Sequence, residues 1–221
     1  MSFKNQKIQV VVSNFEIGAG KRGASKGPLS LLESLKQLEI EFDSPILLNA
    51  LEYSDSESNT PFCKHIFEIE KASNLLNIEI ENQLNHNKFP LILSGDHSNA
   101  IGGISGVKNT YPDKRIGVIW VDAHADLHSP YTTPSGNMHG MPLAMAAHLD
   151  NLECQQNQPS PETGAFWDRI KKIGGDSPKI NPKDIVYISV RDTEEPENFL
   201  MQHYEIPNFT TELVRELGVM E

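Results

Sequence analysis

Three side chains, Asp122, His124 and Asp126, follow one another at a spacing of two, with only Ala123 and Ala125 between them. In extended chain this spacing turns all three to one face. Two carboxylates and an imidazole are metal ligands, and packing alone does not ask for them. A buried carboxylate costs several kcal/mol unless it is paired or bound to a cation. Upstream, Ser94-Gly95-Asp96-His97-Ser98 places a second imidazole, His97, in another short polar stretch. His97, Asp122, His124 and Asp126 together supply oxygen and nitrogen but no thiolate, a donor set suited to Mn²⁺, Fe²⁺ or Zn²⁺ and not to a zinc–cysteine site. Either Asp122 or Asp126 could bridge two cations, and a two-metal site makes hydroxide available near neutral pH. Hydrolysis at a polar carbon or phosphorus centre is the reaction class this chemistry implies. His139, in a later loop able to fold back, suits a proton shuttle. His128 takes no role on these grounds.

Both polar stretches stand where strands should end. The run Ile116, Val118, Ile119, Trp120 and Val121 reads as a buried strand leading into Asp122, and Phe89 to Leu93 reads as the strand leading into Ser94. Open α/β sheets bind ligands at the carboxyl ends of their strands. Three further strands are expected at Ile8 to Val12, Ile46 to Leu48 and Ile185 to Val190, with a short sixth at Tyr204 to Ile206. Helical spacing appears from Pro28 through Leu31, Leu32, Leu35 and Leu38, over Ile66 to Leu84, and over Ala100 to Val107. The glycines of that third segment predict close packing. A further helix is expected at Ala144 to His148 and a last one at Glu212 to Leu217, with Thr210 as its N-cap. Residues 50–62 and 151–165 read as loops. Strands alternating with helices imply an α/β fold with a mostly parallel sheet covered on both faces.

The 221 residues suffice for one α/β domain, and net charge −11 argues against a nucleic-acid partner. No run is long and apolar enough for a membrane span, the N-terminus has no signal-peptide pattern, and a cytoplasmic location fits. The two cysteines, Cys63 and Cys154, lie outside any CxxC and are expected to be small buried groups. The glycine-rich stretch GAGKRGASKGP at 18–28 lacks the Gly-Lys-Ser/Thr ending of a P-loop, so nucleotide binding there is rejected.

SGDHS at 94–98 and DAHAD at 122–126 resemble the first two signatures of the ureohydrolases, and SGNMHG at 135–140 is similar to their arginase branch. GAGKRGASKGP, the TTPSGN loop and DIVYISVRD at 184–192 are similar too, so the likeness runs along nearly the whole chain. The resemblance implies a three-layer α-β-α fold and a binuclear Mn²⁺ centre whose hydroxide attacks the guanidinium carbon of L-arginine, giving ornithine and urea. By position, His97, Asp122 and Asp126 would bind one ion, and His124 with Asp122 the other. His139 matches the shuttle histidine, and Ser135 and Asn137 match residues that hold the substrate carboxylate. Glu194 stands where an Asp usually serves the substrate amino group, and His128 where many members have Asn. The family's sheet order is 2-1-3-8-7-4-5-6, and its third signature, SxDxDxxDP, completes both metal shells. That motif is not found in these 221 residues. The chain is therefore expected to be a C-terminally truncated single domain without the central strands 7 and 8, binding metal poorly and turning over slowly. Two other functions remain open: a non-catalytic metal-binding or regulatory protein, and a hydrolase of another guanidino acid. Homo-oligomers occur in the family.

Overall fold

A computed structural model describes residues 6–48 and 60–218 of the chain. The loop expected over 50–62 lies mostly outside the described residues. The chain runs β1 (Ile8–Ser13), α1 (Gly27–Gln37), β2 (Asp43–Leu48), α2 (Ile66–Asn85), β3 (Phe89–Ser94), α3 (Ala100–Thr110), β4 (Val118–Val121), α4 (Pro142–Ala147), α5 (Pro161–Lys171), β5 (Ile185–Ile188), α6 (Glu195–His203), β6 (Asn208–Phe209) and α7 (Thr211–Leu217). Among the described residues every strand pair is parallel, in keeping with the alternation of strands and helices. The order is 2-1-3 in one sheet and 4-5-6 in the other. Helices flank both sheets, so the α/β class and its parallel strands stand as expected. Among the described residues no ladder joins β3 to β4. The two sheets are the outer portions of the order that the resemblance implies.

The core explains the local sequence. β1 is buried on both faces because helices cover both: Val10 and Val12 cluster with Leu32 of α1, and Val11 with Leu76 and Ile80 of α2. α2 buries Ile66, Ile69, Leu76 and Ile80, the apolar stripe of its sequence. α3 lies against that stripe at short range. A Cβ at Gly102 would come within 2.5 Å of the Ser73 carbonyl, and one at Gly106 within 2.7 Å of the Asn77 carbonyl. Glycine weakens a helix by about 1 kcal/mol, and here it permits the close packing that the sequence predicted. α4 is buried all round, which its apolar PLAMAA sequence allows.

Several expectations are corrected. β4 is not buried on both faces: Ile119 is 70% and Val121 69% exposed, while Val118 and Trp120 pack against the core. Side chains alternate along a strand, and the face carrying Ile119 and Val121 lacks cover among the described residues. The loop reading of 151–165 missed the start of α5. Pro161 opens that helix and the Ser160 side chain caps it by accepting from Thr163 N, a start signal legible in Ser-Pro-Glu. α6 was missed as well. Its first turn, Glu194-Glu195-Pro196-Glu197, folds the Glu197 carboxylate back onto Glu194 N at 3.2 Å. The sixth strand is Asn208–Phe209, not 204–206. The chain turns at Glu205, where φ is 54°, and Ile206 is spent as a buried anchor. Cys63 is buried as expected, whereas Cys154 is partly exposed.

Candidate active site

The site forms where the chain leaves β3 and β4. His97 Nδ1 lies 2.9 Å from Asp122 Oδ2 and 2.9 Å from Asp126 Oδ2. One ligand atom from each residue falls within 4.8 Å of the others, the spacing at which three groups share a cation. Their chemistry is that of hard oxygen plus imidazole, so the residues present fit a divalent ion of the Mn²⁺ class. The Asp126 carboxylate, hydrogen-bonded to His97, raises the pKa of that imidazole against the effect of burial. The His97 ring also lies 4.9 Å from the Trp120 ring, which walls the site from β4.

Asp126 is 4% exposed and adopts φ 52°, a left-handed conformation rare for residues other than glycine. Such strain, of order 1–3 kcal/mol, persists only where the surroundings enforce it. Here they do. Leu143 N of α4 donates to Asp126 O at 3.2 Å, and Leu127 N donates to Glu197 Oε1 at 3.2 Å. The Tyr187 hydroxyl of β5 donates to Ala125 O at 2.7 Å. Arg191 N and Asp192 N both donate to Ala123 O at 2.9 Å. The strand-end loops of β4 and β5 are thus stitched together around the carboxylates.

The three side chains at 122, 124 and 126 do not project from one face of extended chain. The segment bends after β4, and Asp126 reverses locally. His124 stands apart from the converged group. Its Nδ1 is 3.4 Å from Asp122 Oδ1 and its Nε2 is 3.5 Å from Asp192 Oδ2.

The glycine-rich stretch has a structural use. Asp96 accepts from Gly18 N at 2.9 Å and from Ser98 N at 2.8 Å, tying the stretch to the turn that carries His97. His139 N donates to Gly18 O at 3.1 Å. Gly23 N and Ser25 N each donate to Glu16 Oε2 at 2.7 Å.

A cavity of about 230 Å³ opens beside the converged ligands. Its walls include His124, Asp126, His128, Ser135, Asn137, His139 and Glu194, so seven of the nine residues named from sequence line it. His97 and Asp122 are not in its lining. Sequence reasoning gave no role to Asp192 and Glu197, which line it too. Glu197 is buried, and that burial pushes its carboxyl up to about 7, against hydrogen bonds from Glu194 N and Leu127 N. The signal for Glu197 was the helix start at 194–197. His128 Nε2 lies 3.5 Å from Glu194 Oε2 and 3.6 Å from Glu197 Oε2, beyond good hydrogen-bond range. Burial lowers the His128 pKa, while Glu194 and Asp126 oppose the effect.

The Ser135–Asn137 loop is pinned from outside. Gly136 has φ 73°, and a Cβ there would fall 1.8 Å from Pro61 O. Lys64 N donates to Gly136 O at 2.9 Å, and Gly136 N donates to Thr133 Oγ1 at 2.9 Å.

A model of the Arginase family matches residues 6–221. Arginase-1 of Homo sapiens is 33% identical over 226 residues, covering 99% of this chain and 65% of that protein. The arginase of Staphylococcus aureus (strain MRSA252) is 31% identical over 225 residues, covering 99% of this chain and 68% of that protein. Among solved structures, Entamoeba histolytica arginase in complex with L-ornithine superposes with a TM-score of 0.79 at 30% identity, covering 96% of this chain and 68% of that one. Arginase from Bacillus caldovelox superposes at 0.74 with 30% identity, covering 96% and 67%. The chain spans about 65% of the length of its mammalian relatives. With the family model matching nearly its full length, the chain belongs to the arginase family.

Proposed function

We propose that this chain carries the catalytic surface of a hydrolase that cleaves the guanidinium group of L-arginine to ornithine and urea. The observation that carries the reading is the convergence of His97, Asp122 and Asp126 at the mouth of a cavity that also holds His139, Ser135 and Asn137. Two Mn²⁺ ions, when bound, would supply the Lewis acidity that makes water nucleophilic near neutral pH. His97, Asp122 and Asp126 would hold one ion, and Asp122 with His124 would contribute to the other. His139 moves the proton to the departing amine. Ser135 and Asn137 donate to the carboxylate of the substrate, with His128 as a further N–H donor, and Glu194 faces its amino group. Among the described residues the outer edges of β3 and β4 have no strand partner, and three groups converge where two ions need more. On that ground we expect the 221-residue chain alone to bind metal weakly and to turn over slowly.

Urea release from L-arginine, agmatine and guanidinobutyrate, measured with added Mn²⁺, tests the reading. Preference for arginine supports it. Preference for another guanidino acid supports a different substrate, a reading favoured by the His128–Glu194 approach. Mn²⁺ uptake without urea from any of the three supports a binding or regulatory role. Full activity of the 221-residue form refutes the expectation of slow turnover.

A further inference from the structure

The cavity is unbalanced in charge. Its walls hold four carboxylates, Asp126, Asp192, Glu194 and Glu197, and no lysine or arginine. Such walls favour a cation, and they oppose any ligand that also brings a carboxylate. A cation stands just behind them. Lys64 Nζ lies 3.4 Å from Asn137 Oδ1 and donates to it. The main chain beneath Lys64 has no slack, since Lys64 N is bonded to Gly136 O and the Gly136 Cα hydrogens face the Pro61 carbonyl. With Asn137 Oδ1 engaged by Lys64, the amide directs its Nδ2 the other way. There Gly20 leaves it room, because a Cβ at Gly20 would sit 2.7 Å from Asn137 Nδ2. The Asn137 N–H groups are thereby left to donate, and a positive charge backs them.

We propose that Lys64 is a specificity-determining residue, which favours guanidino substrates bearing a carboxylate over those without one. The inference rests on the guanidino-hydrolase reading above and adds a residue to it. Lys64 places its ammonium beside the Ser135–Asn137 loop and holds the Asn137 amide with its N–H groups outward. It offsets at that end of the cavity the repulsion of the acidic walls.

L-Arginine and agmatine share the guanidinium group and differ by the carboxylate, so their relative affinity reads the effect directly. Calorimetric titration of the 221-residue protein, Lys64→Met and Lys64→Arg with both compounds supplies the test. Lys64→Met is expected to weaken L-arginine about five- to twentyfold, as loss of one charge-assisted contact does, and to leave agmatine within about twofold. Lys64→Arg keeps the charge and the preference. Salt screens the acidic walls as well as Lys64, so the three proteins are compared at one fixed ionic strength. Equal weakening of both ligands by Lys64→Met would make Lys64 a mere prop and overturn the proposal, as would no change in either. Should the Met variant fail to fold, Lys64→Gln decides by the same comparison, and equal weakening of both ligands overturns the proposal. Binding of neither compound by the unmodified protein sinks the guanidino reading itself. Equal binding of both by the unmodified protein sinks only the role of Lys64.

Discussion

Replacing Gly136 by Ala tests how the substrate side of the cavity is held. The new Cβ would fall 1.8 Å from Pro61 O, a backbone atom that no side-chain rotation can move aside. At φ 73° an alanine also costs about 1–2 kcal/mol relative to glycine. Relief of the clash requires residues 60–64 and 133–137 to separate. That breaks the 2.9 Å bond from Lys64 N to Gly136 O, worth about 1 kcal/mol. The sum is about 2–3 kcal/mol, or about 4–12 °C in melting temperature for a chain of this size. The loop carrying Ser135 and Asn137 moves, while His97, Asp122 and Asp126 are held by other contacts. Thermal unfolding should therefore show the loss of stability, and calorimetry should show weakened L-arginine with Mn²⁺ affinity little changed. A Gly136→Ala protein that melts with the unmodified protein and binds arginine equally well would refute the pinned-loop reasoning.

Two other perturbations have signed outcomes. Tyr187→Phe removes the 2.7 Å bond to Ala125 O beneath the metal loop. It should cost about 1–3 kcal/mol in urea unfolding, because a buried carbonyl loses its donor, and should weaken Mn²⁺ about tenfold or more. Glu197→Gln tests the buried carboxyl whose pKa lies near 7. A raised carboxyl pKa means the folded state holds a proton that the unfolded chain releases above its ordinary value of 4.5. Stability from this group therefore falls as pH rises from about 4.5 through 7. Relative to the unmodified metal-free protein, Glu197→Gln should gain up to about 3 kcal/mol between pH 5 and 8. A difference that is flat across that range, in urea titrations, would count against the buried charge.

The sequence made the chemistry legible before the geometry. The spacing in DAHAD named the carboxylates, but extended-chain periodicity misplaced His124, because the strand stops at Val121 and Asp126 turns left-handed. Strands announced themselves by apolar runs, yet such a run does not tell one covered face from two, and Ile119 and Val121 were wrongly expected to be buried. Ile206 shows the same limit: a buried anchor after a turn resembles a short strand. The helix start at 194–197 marks Glu197 only as a capping residue; its raised pKa comes from tertiary burial beside the Leu127 amide and the Asp126 charge, which no local pattern records. Lys64 was hidden likewise, since residues 60–64 meet the 133–137 loop across 73 positions of chain.

Mn²⁺ titration, followed by the paramagnetic signal of the free ion, tests the centre most directly. The unmodified protein should take up Mn²⁺ saturably, and Asp126→Asn and His97→Ala should each weaken uptake at least about tenfold. Asp192→Asn, outside the converged group, should change it little. Uptake that is indifferent to Asp126 and His97, or no saturable uptake at all, would contradict a metal centre at the ends of β3 and β4.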